Sequence, residues 1–143
     1  MTIAIGTDHA GYDLAQTITK LLTENGYTCV DLGCDGNACH YPAFSAAVCK
    51  EVMNKNADFG LLFCGTGVGM MMSANKRSGI RAMLACDSFS VKMSRAHNNA
   101  NILCLGGRVL SVEKAWELTR LFLCTSFEGG RHKERIEMYD KIL

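Results

Sequence analysis

The sequence predicts an α/β fold: a single doubly wound, Rossmann-like domain over residues 1–143, with a five-stranded parallel sheet flanked by helices and a C-terminal helix added at the end. Three observations predict it. Short apolar runs alternate with amphipathic segments about five times along the chain. The runs are apolar throughout, as in strands covered on both faces, and do not alternate as half-exposed strands do. One proline against fourteen glycines suits regular elements joined by tight turns, not a disordered chain.

The elements follow in order. "TIAIG" (2–6) reads as a buried strand, and "YDLAQTITKLLTEN" after it places Leu14, Ile18, Leu21 and Leu22 on one helical face, with Gly26 as the C-terminal stop. "YTCVDLG" (27–33) is a second strand. Pro42 then opens a helix carrying Phe44, Val48 and Val52. "FGLLFC" (59–64) is a third strand, and a helix follows its glycine-rich turn. "IRAMLA" (80–85), the helix "DSFSVKMSRAHN" and the strand "NILCLGG" (101–107) come next. "SVEKAWELTRLFLCTSF" is a long helix capped by Ser111 or a neighbour. The closing "GGRHKERIEMYDKIL" is a charged helix with Ile136, Tyr139 and Leu143 on one side. Right-handed crossovers are expected between the parallel strands.

Composition excludes several classes of function. A formal charge of +1 offers no field for nucleic acid or an anionic membrane, and no apolar stretch approaches the roughly 20 residues of a spanning helix. "MTIAIGTDHAG" lacks the basic start and long apolar region of a secretory leader. The eight cysteines are scattered without a C-x-x-C, several within apolar runs, where the thiol acts as a small hydrophobe. A reducing, cytoplasmic location is expected. Cys34, Cys39 and His40 form a C-x4-C-H group, which matches no common zinc spacing and lacks a second pair.

In doubly wound folds the ligand sits beyond the carboxyl ends of the strands. That edge collects Asp8 and His9 after the first strand, Cys64, Gly65, Thr66, Gly67 and Gly69 after the third, and Gly106, Gly107 and Arg108 after the fifth. The loop after Cys64 fails three familiar patterns. Residues 65–70 read G-T-G-V-G-M, so the third glycine comes too early for a dinucleotide fingerprint. No Gly-Lys pair exists for a Walker loop, and Met70 stands where a cysteine phosphatase needs arginine. What survives is a set of backbone N–H groups able to hold a phosphate or a developing oxyanion. Taken singly, each candidate has an ordinary role: Cys64 in packing, His97 as a helix-end imidazole, Arg131 and Arg135 on a solvated face. For Met70–Met72 that ordinary role, core filling, is the expectation.

Taken together, "GTDHAG", "HYP", "FCGTGVGMMMSANK", "GIRA", "SRAHNNANIL", "GGRV" and "EGGRHKERI" resemble, in this order, the type B ribose-5-phosphate isomerases, a family that includes allose- and galactose-6-phosphate isomerases. The resemblance covers about residues 3 to 139. It implies isomerisation of an aldose phosphate to its ketose through a cis-enediolate, without metal or organic cofactor. Cys64 falls on the position of the base moving a proton between C2 and C1, His97 on the residue that opens the sugar ring, and Thr66 on the hydroxyl that shuttles protons between O1 and O2. The amides of Gly65, Gly67, Val68 and Gly69, with Asn98, would hold the enediolate oxygens. Asp8 and Tyr41 match sugar-hydroxyl positions; His9, Arg131 and Arg135 match phosphate positions, with Arg108 a further basic one. The family's members are homodimers or dimers of dimers whose sites draw on both subunits. Where the family commonly has aspartate before Tyr-Pro, this chain has His40.

The residue chemistry agrees with that implication. Proton transfer beside a carbonyl needs a base active near neutrality, and helix N-termini favour thiolates. A phosphate handle positions the reacting carbons, and two arginines one turn apart suit its geometry. Two rivals stay open: the same chemistry on a six-carbon phosphate, and a non-catalytic sugar-phosphate-binding module on the same fold.

Overall fold

A computed structural model of the chain describes residues 1–141. The strands are β1 (Thr2–Thr7), β2 (Thr28–Asp31), β3 (Phe59–Cys64), β4 (Ala82–Leu84) and β5 (Ile102–Gly106). All pair in parallel in one sheet of order β2-β1-β3-β5-β4. The helices are α1 (Tyr12–Glu24), α2 (Tyr41–Met53), α3 (Val68–Ala74), α4 (Ser88–Ala96), α5 (Val112–Cys124) and α6 (Arg131–Asp140).

Strand alternation divides the interior into two cores. Ile3, Ile5, Leu61, Phe63, Leu103 and Leu105 face α1, α4 and α5 and pack with Ile18, Val91, Leu118 and Phe122. Ala4, Leu62, Cys64, Ile102 and Cys104 face α2 and α3 and pack with Val48, Cys49, Met70 and Ala74. Each fully buried Leu, Ile or Phe among them contributes about 1.5–3 kcal/mol relative to exposure. The covering helices on both faces are why the central strands read as continuous apolar runs.

The edges depart from that reading. β2 has a neighbour on one side only and Val30 is 36% exposed, so this strand is not covered on both faces. β4 is shortened to Ala82–Leu84, because the Arg81 amide donates to the Asn101 side chain at 2.8 Å instead of to a strand carbonyl. The methionine run also splits: Met70 is fully buried while Met72, on the outer face of α3, is 59% exposed and fills no core. Helix ends follow local chemistry. Gly26, at φ 85°, follows the last residues of α1. Asp87 caps α4 by accepting from the Ser90 amide, and Ser111 caps α5 by accepting from the Lys114 amide. His40 occupies the cap position of α2 and its side chain makes no cap bond, a place where aspartate could accept from the helix amides. On α6, Ile136 is buried and Tyr139 is 40% exposed; Leu143 lies outside the described residues.

Candidate active site

Three loops meet at the carboxyl edge of the sheet, where β1, β3 and β5 lie side by side. The Asp8 amide donates to the Phe63 carbonyl at 3.1 Å, the Gly107 amide to the Cys64 carbonyl at 2.8 Å, and the Arg108 amide to the Gly65 carbonyl at 2.9 Å. Backbone bonds therefore fix the ends of all three strands against one another. Asp8 is buried, and its Oδ1 accepts from the amides of Ala10 and Gly11 at 2.9 and 3.0 Å, which shapes the turn into α1 and leaves His9 exposed beside it.

Cys64 ends β3 with 5% exposure. The Gly67 amide donates to its Sγ at 3.1 Å, which fixes the sulfur against the turn. Gly67 has a φ of 82°, a left-handed position that lets the chain turn sharply from strand into α3. Thr66 is exposed, its Oγ1 accepting from the Val68 amide at 3.3 Å. Tyr41, the first residue of α2, lays its ring across Gly69. A methyl group at Gly69 would come within 2.8 Å of Tyr41 Cζ, so the bare backbone there is what admits the phenol. Arg108 brings Nη1 to 3.5 Å of the side-chain position of Gly65. Cys64, the Gly65–Gly69 turn, Asp8, His9, Tyr41 and Arg108 thus share one corner of the molecule.

The remaining candidates form a second group. His97 follows the last turn of α4, whose end is fixed by buried Arg95 donating to the Ala100 carbonyl at 2.6 Å and to Asn99 Oδ1 at 2.9 Å. The His97 ring stacks on His132 of α6. Arg131 and Arg135 flank His132, both exposed and without an ion pair among the described residues. Asn98 lines a cleft of about 370 Å³ with Arg81, Tyr139 and Asp140. Among the described residues no hydrogen bond or ion pair joins this group to the one around Cys64.

Sequence reasoning missed Glu128, which faces both histidines. "EGGRH" contains it, but only the fold shows that its partner His97 comes from another helix. Donor atoms of His97, Glu128 and His132 lie within 4.8 Å of one another, which makes them the three-donor group among the described residues; Cys34, Cys39 and His40 form none. The two imidazole planes are 8° from parallel, so their nitrogen lone pairs do not converge, and zinc bonds of about 2.0–2.1 Å would require one ring to turn.

The profile of the ribose/galactose isomerases matches residues 3–139. The chain belongs to that family. It is 39% identical to ribose-5-phosphate isomerase B of Escherichia coli over 94% of this chain and 91% of that one. It is 38% identical to the D-erythrulose-4-phosphate isomerase of Pectobacterium atrosepticum, covering 96% of this chain and 91% of the relative. The solved ribose-5-phosphate isomerase B of Clostridium thermocellum superposes with a TM-score of 0.97 at 40% identity, over 99% of this chain and 97% of the other.

Proposed function

We propose that residues 1–143 form one sugar-phosphate isomerase domain that interconverts D-ribose 5-phosphate and D-ribulose 5-phosphate, needing no metal or organic cofactor. The observation that carries this reading is the Sγ of Cys64, held by the Gly67 amide at the lip of a turn whose other amides border the same corner. After His97 has helped open the furanose, the Cys64 thiolate removes the C2 proton of the aldose. The electron pair moves into a C1–C2 double bond and charge develops on O1, facing the amides of Gly65, Gly67, Val68 and Gly69 with Asn98. Thr66 passes a hydroxyl proton between O2 and O1, and Cys64 returns its proton to C1, giving the ketose. Asp8 and Tyr41 bind sugar hydroxyls; His9, Arg131 and Arg135 hold the phosphate, with Arg108 beside it.

That no hydrogen bond or ion pair among the described residues joins the two groups supports a site completed by a second copy, with His97, Asn98, Arg131 and Arg135 of one subunit serving Cys64 of the other. The reading includes a homodimer or a dimer of dimers. No helix among the described residues is long and apolar enough to cross a membrane, and free, buried thiols such as Cys49 and Cys104 suit the reducing cytoplasm. No nucleic-acid or membrane partner is expected at a charge of +1.

The five-carbon substrate rests on the names of relatives, one of which is named for a four-carbon phosphate. The test is conversion of ribose 5-phosphate in EDTA by the wild type and by Cys64→Ala. Turnover in the first and a loss of about 10²–10⁴-fold in the second is expected for a lost general base. Turnover of only allose 6-phosphate would shift the substrate class to six carbons. Tight binding with no turnover would leave a binding module.

A further inference from the structure

His97 and His132 lie face to face, ring centroids 4.1 Å apart. Glu128 Oε2 stands 3.7 Å from Nε2 of His97 and 3.6 Å from Nε2 of His132, too long for direct hydrogen bonds but within ion-pair reach. Backbone bonds build this arrangement from three segments. The Glu128 amide donates to the Ala96 carbonyl at 3.0 Å, which pins the segment before α6 to the end of α4. Gly129 and Gly130, at φ 69° and 54°, then reverse the chain through conformations that other residues rarely adopt. The His132 amide donates back to the Gly129 carbonyl at 3.1 Å, and its ring falls on His97.

Two imidazolium rings stacked this closely would repel. Burial, reinforced by the charges of His97 and Arg131, pushes the His132 pKa below the usual histidine range, against the opposing pull of Glu128. Burial therefore favours the neutral form of His132, whose side chain is 10% exposed against 37% for His97. A carboxylate charge within ion-pair reach of Nε2 favours a proton on that nitrogen and leaves Nδ1 for substrate.

We propose that Glu128 and His132 are positioning residues that hold His97 in the orientation and tautomer needed to open a furanose ring. The proposal rests on the ring-opening role assigned to His97 above. In that step the C1–O4 bond breaks and its electron pair goes to O4, which takes a proton from His97. The anomeric hydroxyl gives its proton to a solvent water, which returns one to His97, while O1 closes the C1=O double bond. The subsequent transfer between C2 and C1 makes no demand on the pair. Its contribution is confined to cyclic substrates.

D-ribulose 5-phosphate provides the contrast, because its C5 oxygen is esterified and it has no furanose form. The experiment measures two rates for wild type, Glu128→Gln and His132→Asn: conversion of D-ribose 5-phosphate, and exchange of the C1 hydrogens of D-ribulose 5-phosphate with deuterated solvent, followed by NMR. Conversion is expected to fall about 10–100-fold, as for other outer partners of a functional imidazole, with exchange kept at the wild-type rate. Equal loss of both rates, or loss of neither, overturns the proposal. Glu128→Gln alters a side chain that is 59% exposed, so its result stands even where His132→Asn disturbs packing. A wild type that neither converts nor exchanges would instead sink the isomerase reading, and this proposal with it.

Discussion

Gly67 does two things beside Cys64: its amide donates to Sγ at 3.1 Å, and its φ of 82° turns the chain from the strand into α3. The residue at the cap position of α3 is also the one that holds the thiol. Space is equally restrictive, because a Cβ at Gly67 would lie 2.7 Å from Leu84 Cδ1 and 3.1 Å from the Leu105 carbonyl carbon. Gly67→Ala is therefore expected to cost about 1–3 kcal/mol of stability in urea unfolding, through strain and overpacking. Turnover should fall further than stability explains, since a backbone that shifts to relieve the strain moves the amide away from the sulfur. Unchanged turnover in a folded variant would show that activity does not depend on the glycine conformation of this turn.

Burial orders the reactivity of the cysteines. Cys86 and Cys124 are exposed, Cys64 is 5% exposed, and Cys49 and Cys104 are completely buried. Burial beside Cys64 and Cys49 holds the Cys104 thiol well above its ordinary pKa. Limited iodoacetamide treatment should mark Cys86 and Cys124 first without loss of activity. Inactivation should track the slower labelling of Cys64, with ribose 5-phosphate protecting it. Peptide mass mapping against residual activity checks the order, and inactivation that tracks Cys86 or Cys124 contradicts it.

Stability should depend on pH through His132. Its folded pKa lies below the ordinary value, chiefly because burial disfavours the charged ring. Between the two values the unfolded chain binds more protons, so stability rises with pH there. The contribution of the neutral ring is complete above about pH 6.5 and is lost as pH falls toward the lowered folded value. Melting temperatures of wild type and His132→Gln, taken from about pH 8 to pH 5, should converge at the acid end more than at the neutral end. Parallel curves would exclude a His132 contribution.

Much of the candidate site's placement was legible because its signals are local. The edge set of Asp8, His9, Cys64, the glycine turn and Arg108 follows from where strands end, and β1, β3 and β5 do bring those ends together. Tyr41 was harder to place from spacing, since its approach depends on Gly69 being bare in a different helix. Glu128 carried no sequence signal of its own: an acidic residue before two glycines reads as an ordinary turn until α4 arrives beside it.

The alternation of apolar runs and amphipathic segments determined the α/β class, the five strands and the C-terminal helix, because each is a periodicity within a few consecutive residues. Local chemistry also determined the caps at Asp87 and Ser111. Only the tertiary structure decided that β5 lies between β3 and β4, that β2 and β4 become short edges, and that Cys64 is buried. It alone stacked His97 on His132 beneath Glu128. The physical reason is range. Strand order and side-chain stacking depend on contacts between residues far apart in the chain, and the pattern around any one residue carries no record of which distant partner will cover it.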